Sequence, residues 1–368
     1  MKNRLYSAVL LLLLVCLLSP AVPACAEKSV VLTFTGDCTI GSEEEKRGLP
    51  DSFDSVIAEN GMAYPFRYFL PLFEQDDCTV INLESVLSDS KRGEAKNKTY
   101  RFRGKTDFVQ ILTAGSVEAA GLSNNHTGDY GAQGLQSTKD TLENAGIAWF
   151  MGMDCYILEK DGIRIALFSM DEATYNGNNP KGLYEMRRMK EEGEVNAIVF
   201  CLHSGREYTA QHYKRQEVNG NTLPAYGADL VIMNHPHVVQ GIRIVNNRTV
   251  CYSLGNFVFG GNSKIKSVPY GKRVLTSQYS LVVRARLDFD DDGVYLGQQI
   301  TLYPAFTSDD PEKNRFQPFP VHGDDAAAVL DAVRFDTEFE LPSVTEAEDY
   351  PFVELPYLPA GQAEDPGT

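Results

Sequence analysis

The chain is short of positive charge. Its 368 residues carry 34 Lys and Arg against 50 Asp and Glu, a formal net charge of −16. A field of that sign repels a phosphate backbone, so non-specific nucleic-acid binding is excluded and only local basic residues can hold an anion. The shortage is complete at the C-terminal end, where no Lys or Arg follows Arg334. That acidic, proline-bearing stretch reads as mostly irregular or disordered. No two cysteines stand in CxxC spacing, which excludes zinc ribbons and thioredoxin-type motifs. Cys38, Cys78, Cys155, Cys201 and Cys251 are odd in number and follow no repeat; they read as small hydrophobes, with a disulfide open but unassignable. No heptad pattern or internal repeat is present. The leucine-rich stretch at residues 5–18 is too short for a membrane span, which needs roughly 20 residues.

What that stretch does resemble is an export signal. Lys2 and Arg4 precede it, and Ala24-Cys25-Ala26 follows it with small residues at the positions a signal peptidase reads. Residues 1–26 are expected to be a signal peptide cleaved before Glu27, with lipidation at Cys25 or an uncleaved anchor as the other readings. The protein is then exported, to the cell surface or beyond. Residues 27–310 form the expected main domain, and 311–368 an acidic, Pro-containing extension.

With 43% hydrophobic and 23% charged residues, the composition is that of an ordinary globular chain. Short apolar runs at 30–34, 79–82, 164–169, 197–202 and 230–233 read as strands, several of them buried on both faces. Residues 41–60 read as a loop and 64–73 as an aromatic-rich helix. The clearest helix is 131–146, where Leu135, Thr138, Leu142 and Ala145 share a face and Gly146 stops it. Charged, amphipathic 181–194 and the region around 213–218 read as further helices. Asn246-Asn247 and Asp290-Asp291-Asp292-Gly293 turn two expected hairpins. Strands alternating with helices, then hairpins, indicate a layered α/β fold with mixed sheets.

Ligand-type residues follow the strand runs. Asp37 follows the first and Glu84 the second; Asn125 and His126 follow a third at 116–122; His203 follows the fourth; His235 and His237 follow the fifth. Sites in open α/β sheets form outside the carboxyl ends of the strands. Of six histidines, four stand at these ends; His212 and His322 fall outside the pattern and read as surface residues. Carboxylate, imidazole and a neutral amide together suit one or two divalent ions such as Mn, Zn or Fe. A pair of ions acidifies bound water toward ~7 and stabilises charge on a phosphoryl or carbonyl oxygen. A histidine that binds no metal can protonate the leaving group.

Six stretches run in order across residues 29–260: Thr35-Gly36-Asp37; Asn82-Leu83-Glu84; Asn124-Asn125-His126 with Asp129-Tyr130-Gly131; His203 with Gly205, Glu207 and Tyr208; 227–232 with His235-Pro236-His237-Val238; and 252–257. In them the chain resembles the CapA family of poly-γ-glutamate capsule synthesis proteins, similar in fold to calcineurin-like metallophosphoesterases. The resemblance implies a four-layer α/β/β/α sandwich of mixed sheets with a di-metal site. By similarity, Asp37 and His237 bind one ion, Asn125, His203 and His235 the other, and Glu84 bridges them. His126 would be the general acid. Asp129 is a candidate partner of His126. Glu207 would orient a ligand histidine, meet substrate, or pair on the surface. Asn256 is a substrate contact, an orienting residue or a turn residue. Arg103, with Arg101 on the same face, is either an anion-binding group or part of an exposed edge strand. Two positions depart from the pattern: Thr39 stands where phosphoesterases usually have a histidine, and Ser204 where the family often has a large aromatic.

The implied function is an exported metal-dependent hydrolase of capsule or cell-envelope polymer metabolism. Its substrate would be an anionic polymer or a small phosphate-containing molecule, with membrane-bound synthase subunits as candidate partners and no nucleic acid. The alternatives are a non-catalytic envelope assembly factor that keeps the metal as a structural element, and a secreted phosphoesterase or nucleotidase.

Overall fold

The computed structural model describes residues 28–361, the side chains of 177–180 apart. The expected signal peptide and Cys25 lie outside the described residues.

Two large sheets carry the fold. In the first, β1 (Lys28–Thr39), β2 (Cys78–Leu83), β3 (Ala119–Gly121) and β4 (Ala148–Phe150) run parallel. The second contains β5 (Gly152–Lys160), β6 (Ile163–Asp171), β7 (Ala197–His203), β8 (Leu230–Asn234), β9 (Ile242–Val245) and β10 (Arg248–Cys251), ordered β9-β10-β8-β7-β6-β5. The chain then returns to the first sheet. There β11 (Asn256–Phe259) lies parallel to the end of β1 on the side away from β2, and on that same side the hairpin β12 (Tyr279–Phe289) and β13 (Tyr295–Phe306) continues the sheet antiparallel along the start of β1. The architecture is a mixed α/β fold with several mixed sheets.

The uninterrupted apolar runs are explained by burial on both faces. Side chains alternate across a strand, so a strand covered on each side needs apolar residues at every position. Ile165 and Leu167 of β6, Val199 of β7 and Ile232 of β8 join Leu32, Phe34 and Val80 of the first sheet in one core. The intervening residues, Ala166, Phe168, Ile198, Phe200, Val231 and Met233, form a separate core on the opposite face. That face is covered by the helices α5 (Glu172–Glu191) and α6 (Lys214–Ala225), which contribute Leu183, Met186 and Leu223. The outward residues of the first sheet, such as Ile81 and Leu83, meet a third core. It includes residues of α1 (Phe53–Asn60), α2 (Leu70–Phe73), α3 (Val109–Ala114) and α4 (Gly131–Asn144).

Several local expectations are met and others corrected. Asn246 and Asn247 take φ of 50° and 57°, the left-handed values a two-residue hairpin turn needs, and asparagine tolerates them better than most residues. The expected loop at 41–60 contains α1, started by Ser52, whose hydroxyl accepts from the Ser55 amide. Of the expected helix at 64–73 only α2 is regular. The helix expected from 181 begins earlier, at Glu172, where the Asp171 carboxylate caps the Ala173 and Thr174 amides. The five cysteines are free.

The stretch past Arg334 is largely irregular as far as 361, but it is not loose. After α7 (Gly323–Phe335), the short strands Val353–Glu354 and Leu358–Pro359 pair antiparallel with β13. Asp336 is buried and accepts from the Gly241 amide and from the amide and Nδ1 of His212, each at 3.0 Å. His212 is therefore not the surface residue the sequence suggests: it stacks on Tyr252 at 3.9 Å and pairs with the tail. His322 is exposed.

Candidate metal centre

The carboxyl ends of β1 and β2 in one sheet meet those of β7 and β8 in the other. Asp37 pairs in register with Asn82 on one side and Asn256 on the other. The ladder shifts register on both sides of Asp37, a bulge of the kind that re-aims a side chain. The approach is tight: a Cβ on Gly36 would lie 2.4 Å from the Gly255 carbonyl oxygen, so glycine is required there.

Asn82 joins the two sheets. Its Nδ2 donates to Asp37 Oδ1 at 2.8 Å and lies 3.2 Å from His203 Nδ1, while its Oδ1 accepts from Asn124. His203 Nε2 stands 2.9 Å from Asn125 Oδ1 and 3.5 Å from Glu84 Oε1. His237 Nδ1 lies 2.9 Å from Asn256 Oδ1 and 3.2 Å from Asp37 Oδ2, and its Nε2 points toward Glu84 Oε1 at 3.9 Å. The His235 amide donates to Asp37 Oδ2. His235 and His237 adopt φ of 109° and 57°, values that cost a non-glycine residue and concentrate at functional sites.

Glu84 is the centre of the cluster. It has no exposed surface, and neither carboxylate oxygen has a hydrogen-bond partner. Burial, then the neighbouring Asp37 charge, raises its pKa well above the usual carboxylate range. A fully buried carboxylate with both oxygens unpaired is costly unless a cation balances it. The imidazoles around it are prepared for that role. Burial and the other histidines hold His203 well below its ordinary pKa, and burial brings His235 down to about 4, so both present neutral nitrogens. His237 goes the other way: burial opposes its charge, but Glu84 and Asp37 outweigh burial and lift it to about 9. Among the described residues, three overlapping groups could hold an ion: Glu84, His203 and His235; Asp37, Glu84 and His237; and Glu207, His235 and His237. The donor set and the unpaired Glu84 oxygens fit a divalent cation.

His126 flanks the cluster. Its Nδ1 lies 2.7 Å from Asp129 Oδ2 and its Nε2 3.9 Å from Glu84 Oε1, while Phe102 stacks on the ring at 4.2 Å. Asp129 is fully buried and also accepts from the Phe102 amide at 2.7 Å and from Lys98 Nζ at 2.5 Å. Its partners fix the carboxylate, which in turn fixes the imidazole. Burial lowers the His126 pKa against the pull of Asp129.

The residues read from sequence thus separate. Asp37, Glu84, Asn125, His126, Asp129, His203, His235 and His237 come together. Asn256 faces His237 rather than open space. Glu207 stands with His235 and His237. Arg103 is not presented to an anion: it is buried, paired with Glu44 at 2.6 Å, and its Nη1 donates to the Ser88 carbonyl. Arg101 is likewise paired with Glu94 and Glu45. Ser204 sits buried with its hydroxyl on Glu172. Two participants were not singled out from sequence. Asn82 lies two residues before Glu84, and only the sheet-to-sheet geometry shows its bridging. Lys98 comes from a charged loop that reads as solvated, and nothing local marks it.

Comparison with known proteins agrees with the motif reading. The family described as bacterial capsule synthesis protein PGA_cap matches residues 31–261. A capsule biosynthesis protein CapA from Bacillus anthracis is 25% identical over 256 residues, 63% of this chain and 60% of that protein. A PGA biosynthesis protein CapA from Bacillus subtilis (strain 168) is 24% identical over 262 residues, 66% of each chain. The matched stretch spans less than two thirds of either relative's length. Among solved structures, a hypothetical protein from Thermus thermophilus aligns over 75% of this chain and 99% of its own, at 12% identity and a TM-score of 0.40.

Proposed function

The chain belongs to the bacterial capsule synthesis protein family PGA_cap, and from that premise we propose that it is an exported, metal-dependent hydrolase acting on an anionic envelope polymer or a phosphate ester. In this reading the four-layer α/β/β/α sandwich of metallophosphoesterase type is the scaffold. The observation that carries the proposal is Glu84, fully buried with both oxygens unpaired, among three imidazoles and Asp37. A divalent ion held there supplies acidified water and stabilisation of developing negative charge. The other tasks fall to side chains. Asp37, Glu84, Asn125, His203, His235 and His237 hold the metal; Asn82 and Asn256 orient His203 and His237. His126 is the general acid: its Nδ1–H donates to Asp129, and its Nε2 gives a proton to the departing oxygen or nitrogen from the imidazolium form, which Asp129 favours against burial.

An acidic protein must still attract an anion. Residues 230–287 contain no Asp or Glu but eight Lys and Arg, in a chain of net charge −16. Lys266 from this segment lies over the Tyr208 ring at 4.1 Å, and that ring stands 5.8 Å from His237. Lys264 lines a cleft of about 170 Å³ with Lys46, Lys313 and Gly260, which follows β11. Lys46 and Lys313 are paired with Glu43 and Asp51, so Lys264 and Lys266, which have no carboxylate partner among the described residues, supply the local positive field.

A second reading is favoured by the relatives' names, which refer to biosynthesis and not to hydrolysis. In it the domain is a non-catalytic assembly factor whose metal is structural, contacting polymer or membrane-bound synthase subunits. The deciding experiment assays phosphate mono- and diesters and γ-glutamyl polymer with the wild type and His126→Ala, with metal content measured in both. Hydrolysis lost at least ~100-fold with metal retained supports the enzyme. No hydrolysis by metal-loaded wild type against the whole panel sinks it in favour of the assembly factor.

A further inference from the structure

The groups around Glu84 are unequal. Asp37, Glu84 and His237 bring two carboxylates but one imidazole to their end of the cluster. Thr39, two residues beyond Asp37, donates its hydroxyl to the Glu84 carbonyl at 3.3 Å and adds no donor to the cluster. Glu207 differs from Asp37 and Glu84 in being exposed. Yet its carboxylate lies within 4.8 Å of imidazole nitrogens of both His235 and His237. Among the described residues, no hydrogen bond or ion pair holds the Glu207 side chain anywhere else. A free glutamate on a surface gains entropy by swinging into water. Here the backbone keeps it over the histidines.

The segment on each side of Glu207 is clamped to the second strand end. The Ser204 amide donates to the Asn234 carbonyl at 2.9 Å, and the Tyr208 amide to the Pro236 carbonyl at 2.8 Å. Gly205 has φ of 141°, and a Cβ there would lie 2.7 Å from Pro236 Cγ, so only glycine lets the loop approach this closely. Tyr208 takes a left-handed φ of 55°, a strained value for an aromatic residue. Beneath the carboxylate, His235 Nδ1 is buried with no partner.

We propose that Glu207 is itself a metal ligand, joining His237 and His235 and giving the imidazole-poor end of the cluster its missing donor. The proposal rests on the metal reading of the site. It makes that end rich in oxygen donors, which suits a hard divalent ion such as Mn²⁺. Because Glu207 is exposed where Asp37 and Glu84 are buried, it is the carboxylate of the set that an incoming anion can reach.

The test is Mn²⁺ binding by the full chain, followed by the electron paramagnetic resonance signal of the free ion, for wild type, Glu207→Gln and Glu207→Asp. Melting in chelator checks that each variant is folded; removing an exposed, unpartnered carboxylate leaves it unchanged. The expected result is that Glu207→Gln loses one ion or binds it at least ~10-fold more weakly, with Glu207→Asp between the two. Equal stoichiometry and equal affinity in wild type and Glu207→Gln overturn the proposal while the metal reading stands. A wild type that binds no ion removes both.

Discussion

Replacing Glu84 with glutamine separates the two states of the site. Without a cation, Glu84 is a fully buried carboxylate with both oxygens unpaired and Asp37 close by. Glutamine keeps the shape and removes one negative charge. The imidazole nitrogens of His203, His126 and His237 stand 3.5–3.9 Å from Oε1, where an amide oxygen still faces protonated His237. Because the buried charge costs several kcal/mol, of which protonated His237 facing it offsets only part, the variant should be more stable than wild type in chelator by about 2–3 kcal/mol. At roughly 2 °C per kcal/mol for a chain of this size, that is a rise in Tm of about 5 °C. With a cation the order reverses. Wild type gains about 2.7 kcal/mol when the ion is at about 100 times its Kd, whereas the variant has lost the carboxylate shared by two ligand groups and gains little. Differential scanning calorimetry in chelator and in Mn²⁺ measures both. Loss of stability in the variant by the same amount in the two buffers would refute the reasoning, since Glu84 would then be an ordinary structural residue.

Two further outcomes follow from the same geometry. His237, lifted to about 9, holds a proton in the metal-free protein at neutral pH, with its Nε2 directed at Glu84. A cation must displace that proton, so affinity should rise with pH, by ~10-fold per unit, and level off above about 9; calorimetric titration in buffers of different ionisation heat should show about one proton released near pH ~7, and a pH-independent affinity would count against His237 as a ligand. Asp336→Ala removes the acceptor of the Gly241 amide and of two His212 donors from a buried position, and should lower stability by about 2–3 kcal/mol in chemical unfolding while leaving metal content unchanged; an unaltered midpoint would mean the tail does not secure this part of the fold.

How much of this was legible depended on how local the signal is. β1, β2, β6, β7 and β8 were readable because burial on two faces forces continuous apolar runs, and the polar residues that end those runs gave the cluster; β4, β5 and β11 carry no such run and were not. The asparagine and Asp-rich turns were readable because their chemistry is set by a few neighbouring residues. The eight-residue helix α1 was missed because it is short and sits in polar sequence. Arg103 was open to a substrate role because alternation in 100–104 shows a shared face but not the Glu44 that occupies it. His212 looked like a surface residue because its partner, Asp336, is 124 positions away. Lys98 has the same difficulty: a charged residue on a loop carries no sign of where the loop is carried. The acidic tail reads as irregular on composition, and only the edge of β13 shows why it is held.

The central claim is that the cluster around Glu84 exists to hold cations. It is tested most directly by the metal content of the purified full-length protein, measured by plasma mass spectrometry after dialysis against metal-free buffer and again after reloading. About one to two divalent ions per chain are expected, removed by chelator and restored on addition. Protein that is folded yet takes up no ion in either condition would contradict it.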